Sequence, residues 1–281
     1  MTETIVVLGA TGNVGRALVD HLGAAGVVPR VLTRNADATW RVPVERIVGD
    51  ARDPACVTAL MTGATRAFVM SHIDADDAID RHVVAAAVAA GVQHLVKLST
   101  IGVESDSAIG RRHRVREQAI EQSGLAWTFV RPGFFMSNAL QWRDQIRTGT
   151  VHMPAADGPT LPISPRDIAE VARLALLDGA AHAGKAYALT GEVTITAREQ
   201  LAVLARVLGS ALTCVPIPPD VAADFVRQRG MPPEVVETLR KLWISTEAGQ
   251  AAIQTSTFRE LTGHAPETFE AWARDHASAF R

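Results

Sequence analysis

The chain has 281 residues, enough to bury a large core in one or two domains. A hydrophobic content of 47%, a charged content of 21% and a formal net charge of −2 describe an ordinary globular protein and exclude the broad basic field that nucleic-acid binding uses. Two cysteines, Cys56 and Cys214, exclude a disulfide framework and a cysteine metal site.

Ile5-Val6-Val7-Leu8 is a short apolar run that predicts a buried strand. Gly9-Ala10-Thr11-Gly12-Asn13-Val14-Gly15 follows it and opens an amphipathic helix with Val14, Leu18, Val19 and Leu22 at helical spacing. Gly26 to Arg34 reads as turn and second strand, and Ile47-Val48 ends a third before Gly49-Asp50. Pro54 to Met61 is a helix with Asp53 as N-cap and Pro54 at its first position. Ala67 to Met70 is the fourth strand, and Ala75 to Ala90 is a helix closed by Gly91. His94 to Leu98 is the fifth strand, Arg111 to Gln122 a helix, and Ala126 to Val130 the sixth strand. Apolar strands alternating with helices predict an α/β protein with a doubly wound, mainly parallel Rossmann sheet.

Past Arg131-Pro132 the pattern changes. Met136 to Arg147 reads as one helix and Gly149 to Pro165 as loops. Asp167 to Leu177 and Arg198 to Leu208 read as helices, Ala186 to Leu189 and Val215 to Pro219 as short strands, and the remainder as mostly helical, ending with Thr268 to Phe280. Residues 1–132 are therefore expected to form the nucleotide domain. Residues 133–281 form a smaller, mostly helical substrate lobe, part of which returns to the sheet.

A glycine turn between a strand and a helix is the context in which such a cluster binds a dinucleotide. One glycine takes the turn angles, one admits the pyrophosphate, and one lets helix and strand pack closely. The amides of Gly9, Ala10, Thr11, Gly12, Asn13 and Val14 then face the phosphates. Arg34 stands at the end of the second strand, where an acid would bind the ribose 2′-hydroxyl of NAD(H). An arginine suits the 2′-phosphate instead, so NADP(H) is favoured over NAD(H). Asp50 and Ala51 follow the third strand, where adenine would pass. Asp50 reads equally as an acceptor for the adenine amino group and as a turn aspartate. Met70, Ser71, His72 and Ser99 follow the fourth and fifth strands, the carboxyl ends at which open sheets bind ligands. Pro132 and Phe134, beyond the sixth, are assigned to the same cofactor site. Ser71 and Ser99 read alternatively as caps, and His72 as a loop histidine.

A tyrosine with a lysine four residues on is a common proton donor in reductases of this architecture. It cannot exist here, because the single tyrosine, Tyr187, has Gly191 in that place. In the region of the missing dyad lie His113 and Glu117, one helical turn apart and able to hydrogen-bond. His113 and Ser99 are the candidates for the chemistry, His113 as a weak proton relay or a structural residue. Two such ligands without a third are a poor metal site, and no metal is expected. Arg111, Arg112, Arg114 and Arg116 read as a solvated basic face or as a surface for an anionic partner.

The glycine block resembles the signature of the NmrA-like group of atypical short-chain dehydrogenases. Lys97-Leu98-Ser99-Thr100, His113 to Glu117, Ser123 to Gly133, Asp167 to Ala172 and Gly184 to Gly191 resemble its later blocks in order. The resemblance implies an NADPH-dependent reductase that works without the tyrosine dyad, of the quinone or triphenylmethane-dye reductase kind, or a redox-sensing regulator that binds NADP(H) and a protein partner. On these readings the chain transfers hydride to a flat, apolar, electron-poor small molecule such as a quinone. Phe134, Phe135, Met136, Trp142 and Trp243 are candidates for the pocket wall or for core packing. No nucleic acid and no membrane is expected as a partner, and a homodimer or a protein partner remains open. With no signal core before the first strand and no apolar run of membrane length, a cytoplasmic protein is expected.

Overall fold

The computed structural model describes residues 3–70, 78–105 and 107–281. In chain order the elements are β1 (Ile5–Leu8), α1 (Asn13–Ala24), β2 (Arg30–Thr33), β3 (Glu45–Val48), α2 (Pro54–Met61), β4 (Arg66–Val69), α3 (Ala78–Ala89), β5 (His94–Leu98), α4 (Ala108–Glu121) and β6 (Ala126–Pro132). There follow α5 (Arg143–Thr148), β7 (Thr150–Met153), β8 (Pro159–Thr160), α6 (Pro165–Leu177), α7 (Gly179–His182), β9 (Lys185–Leu189), β10 (Ile195–Thr196), α8 (Ala197–Leu208), β11 (Thr213–Pro216), α9 (Pro219–Gln228), α10 (Pro233–Glu247), α11 (Thr257–Thr262) and α12 (Phe269–Asp275). Among the described residues no helix is long and apolar enough to cross a membrane.

The chain forms two compact units. The first comprises Met1–Pro132 and Pro165–Ala188, the second Gly133–Ser164 and Leu189–Arg281. A sheet in the order β3-β2-β1-β4-β5-β6-β9 organises the first. Every pairing among β1 to β6 is parallel, and the apolar β1 and β5 are buried along their whole length. Strand order reverses between β1 and β4, which creates the crevice that open parallel sheets use for ligands. Val6, Leu8, Val69, Leu95 and Phe129 carry the core on one face, and α1 packs against α6. The helix starts follow from local chemistry. Asp53 caps α2 by accepting from the Ala55 amide at 2.9 Å, with Pro54 next in line. Ser107 caps α4 through the Gly110 amide.

The second unit buries Trp272, Phe269 and Phe280 with Leu201, Leu204 and Met153. Two expectations are corrected here. Met136–Trp142 is a 3₁₀ turn, followed by the short α5, rather than one helix through Arg147. Met136 and Ala139 are both buried, and residues three apart eclipse in a 3₁₀ turn but not in an α-helix. The stretch 149–165 is not all loop, for it holds β7 and β8. Val151 and Met153 are buried while His152 between them is exposed, and β7 pairs with β11 some sixty residues away. Met136 lies in this core, and Trp142 is half-buried and packs against it.

Candidate cofactor cleft and polar cluster

The glycine turn stands at the β1/β4 reversal. Gly9 has φ +85°, the left-handed region that glycine occupies without penalty, and its carbonyl accepts from the Gly12 amide at 3.0 Å. Gly12 is the N-cap of α1 and supplies no side-chain acceptor, so the first-turn amides of the helix keep none of their own. A Cβ on Gly12 would lie 2.7 Å from the Met70 side chain, and one on Gly15 would collide with the Gly9 carbonyl. Gly15 thus seats α1 on β1, while Gly12 keeps the approach to the turn open.

A cleft of about 330 Å³ runs from this turn along the carboxyl ends of β1 to β4. It brings together six of the residues singled out from the sequence: Gly9, Thr11, Arg34, Asp50, Ala51 and Met70. Ala10 and Val14 are buried, so only their main chain can face a ligand, and Asn13 is exposed. Ser99, His113, Pro132 and Phe134 are not in its wall. Ser71 and His72 lie outside the described residues.

The wall after β2 is braced by side chains that sequence reasoning missed. Trp40 Nε1 donates to the Ala10 carbonyl at 3.3 Å, and Arg16 donates to the carbonyls of Thr11 and Thr39 at 3.2 and 3.0 Å. The Arg46 guanidinium stands 5.3 Å from the Trp40 ring centroid. Asn35 closes the strand end by donating its amide to Thr33 Oγ1 at 3.1 Å. The segment that presents Arg34 is therefore tied to the glycine turn. A lone tryptophan in a loop carries no sequence signal for that role.

Asp50 is engaged by Arg52, another residue the sequence reading passed over. Asp50 Oδ1 accepts from the Arg52 amide at 2.9 Å and from Arg52 Nε at 3.2 Å, and Oδ2 accepts from Nη2 at 2.6 Å. These bonds, with smaller help from the charges of Arg52 and Arg34, hold the Asp50 carboxyl down at about 2. Acid and turn readings meet here, since the carboxylate closes an Asx turn while lining the cleft.

A second polar cluster surrounds the carboxyl end of β5. The ammonium of Lys97 lies 2.9 Å from Asp80 Oδ1, and Arg116 Nε lies 3.2 Å from Asp80 Oδ2, all three buried. Arg116 is thus not part of a solvated basic face, and Arg114 is paired with Glu121 at 2.9 Å. The expected His113–Glu117 pair gives way to another. Glu117 is wholly buried, and its two oxygens accept from Arg131 at 3.0 and 2.7 Å. A guanidinium satisfies both carboxylate oxygens, which a neutral imidazole cannot. Burial, then the charges of Lys97 and Arg116, lower His113 to about 4 against the pull of Asp80 and Glu117. The imidazole is therefore neutral at pH 7. Its Nδ1 and the Ser99 hydroxyl are buried with no hydrogen-bond partner among the described residues. Tyr187 hydrogen-bonds to His182 Nδ1 at 2.8 Å, a contact that fixes it structurally. Among the described residues no group of three or more His, Cys, Asp or Glu is placed to hold a metal.

The residues fit a dinucleotide phosphate. Gly9 and Thr11 of the turn and the basic Arg34 at the end of β2 line one cleft at the switch point, and the first turn of α1, next in the chain, carries no side-chain cap on its amides. Fold and cleft define a dinucleotide-binding protein with a doubly wound parallel sheet. The chain belongs to the NmrA-like family, whose pattern matches residues 1–273. It is 42% identical, over 98% of this chain and 99% of the relative, to (4-alkanoyl-5-oxo-2,5-dihydrofuran-3-yl)methyl phosphate reductase of Streptomyces griseus. It is 33% identical, over 98% and 99%, to the NAD(P)H azoreductase of Xenophilus azovorans. In fold it is similar to the NADPH complex of the NADPH-dependent quinone oxidoreductase of Escherichia coli, with a TM-score of 0.81, 23% identity and coverage of 97% of this chain and 99% of that one. The chain is an NAD(P)H-dependent reductase with a small-molecule substrate.

Proposed function

We propose that the substrate is a flat, electron-poor conjugated acceptor, such as a quinone or an alkene flanked by two carbonyl groups. The observation that carries this reading is the chemistry around β5. No tyrosine–lysine acid exists, and His113 is held neutral. Such a site serves a substrate whose anion is delocalised after reduction and can take its proton from water. A simple ketone would need a strong acid. NADPH, when bound, supplies the hydride. The chain's own part is to position cofactor and acceptor and to offer dipoles where charge develops. In this reading the buried Ser99 hydroxyl donates to the developing oxyanion, and neutral His113 relays a proton. Two relatives support the acceptor class by name. One is named for an alkanoyl-substituted oxo-dihydrofuran, whose ring alkene is conjugated to two carbonyls, and the other is named an azoreductase.

The test is the decay of NADPH absorbance with a panel of quinones, acyl-substituted unsaturated lactones, azo dyes and simple ketones. Oxidation by the conjugated acceptors and none by the ketones is expected. Oxidation by the simple ketones as fast as by the conjugated acceptors, or no oxidation by any of the conjugated acceptors, would overturn the proposal.

A further inference from the structure

The cleft contains an acid where a doubly charged phosphate is to bind. Asp50 and Arg34 line the same wall, and Arg34 is near enough to help hold the Asp50 carboxyl ionised. An unengaged carboxylate there would act twice against a 2′-phosphate. It would repel the phosphate, and it would compete for the Arg34 guanidinium. Arg52 removes both effects. It stands two residues beyond Asp50 in one Asx turn, so its amide and guanidinium close on the same carboxylate, with Nη2 at 2.6 Å from Oδ2. The geometry matches the planar fork of a guanidinium to the two oxygens, which lysine cannot reproduce. Both oxygens of Asp50 accept from Arg52, so the paired carboxylate no longer presents an uncompensated charge to the cleft.

We propose that Arg52 is a specificity-determining residue for NADP(H), acting through Asp50: by masking the acid it leaves Arg34 available to the 2′-phosphate. The inference rests on the assignment of the 2′-phosphate to Arg34. Arg52 is a positioning residue in this scheme and need not touch the cofactor. The Arg52 side chain is 70% exposed and that of Asp50 33%, so the pair sits at the surface and its effect is of the size that surface charges produce and falls with salt.

The experiment is calorimetric titration of NADPH and NADH into wild type, Arg34→Ala, Arg52→Ala, Asp50→Asn and the double variant Asp50→Asn/Arg52→Ala, at low and high salt. Thermal melts check that each variant is folded. Arg52→Ala is expected to weaken NADPH about three- to fivefold and to leave NADH within about twofold. The double variant is expected to return NADPH affinity to near the wild-type value, because no charge is left to mask. The loss in Arg52→Ala should shrink at high salt. An unchanged NADPH/NADH ratio in Arg52→Ala, beside a changed one in Arg34→Ala, overturns the role of Arg52 alone. An unchanged ratio in Arg34→Ala overturns the phosphate assignment on which it rests. A double variant as weak as Arg52→Ala would show Arg52 contacting the phosphate directly and would also overturn the masking scheme.

Discussion

Arg131, in β6, closes a two-pronged hydrogen bond on Glu117 of α4, with Nε 3.0 Å from Oε1 and Nη2 2.7 Å from Oε2. The carboxylate is 0% exposed and the arginine side chain 14%. Removing one partner of a buried pair leaves an unpaired charge away from water, which costs about 3–5 kcal/mol. Arg114 Nη1, at 3.3 Å from Oε2, offsets only part of that loss. Arg131→Met is therefore expected to destabilise the protein by about 3 kcal/mol in urea unfolding. A loss below about 1 kcal/mol would show that water or Arg114 takes over the carboxylate.

The glycines separate folding from binding. Gly12→Val leaves the main chain of the turn alone and meets the movable end of Met70, so the variant should fold. It should lose dinucleotide affinity by at least tenfold, an order-of-magnitude expectation for a branched side chain in the phosphate approach. Gly15→Val drives its side chain into the Gly9 carbonyl, and main chain cannot step aside. Loss of soluble, cooperatively melting protein is expected there. Wild-type NADPH affinity in a folded Gly12→Val variant would remove the turn from the cofactor site.

The parallel sheet was legible because β1, β2, β4, β5 and β6 each carry a short buried run and alternate with helices, whereas β3, Glu45–Val48, is mostly exposed and only its Ile47-Val48 end reads as strand. Asp53-Pro54 announced α2 for the same local reason. Partners remote in sequence were not legible. β7 reads as loop until β11 lies beside it, and Arg116 reads as surface until Asp80 of another helix meets it. Arg52 escaped notice although it is two residues from Asp50, since a surface arginine after an aspartate is common in turns. The residues of the glycine turn could be read because backbone geometry dictates them. Trp40 could not, because its role depends on where the loop after β2 folds back.

Arg34 gives the plainest test of cofactor choice. Its side chain is exposed at the end of β2, and a charge-assisted hydrogen bond to phosphate at such a place sits at the low end of the usual range. Arg34→Ala should weaken NADPH by about tenfold, corresponding to about 1.5 kcal/mol, with NADH nearly unchanged. Calorimetric titrations showing equal losses for both cofactors would place the 2′-phosphate elsewhere.

His113 carries two linked expectations, one for stability and one for turnover. Its folded value of about 4 lies below the ordinary 6.5 of an unfolded histidine, so the unfolded chain takes up a proton first as pH falls. The stability it contributes is fully present above pH 6.5 and is lost between 6.5 and about 4. The whole effect amounts to about 3 kcal/mol, and His113→Gln should flatten that part of the stability profile. For turnover, a neutral imidazole with Nδ1 unpartnered is at most a relay. His113→Ala should therefore slow hydride transfer by less than the ~10²–10⁴-fold of a full general acid. In stopped flow the wild-type hydride-transfer rate should show no His113 inflection near pH 6.5, since the group is neutral there. Any contribution from its protonation belongs near pH 4. Complete loss of hydride transfer in a folded, NADPH-binding His113→Ala variant would make it an essential acid. It would also remove the argument that the substrate's anion needs none.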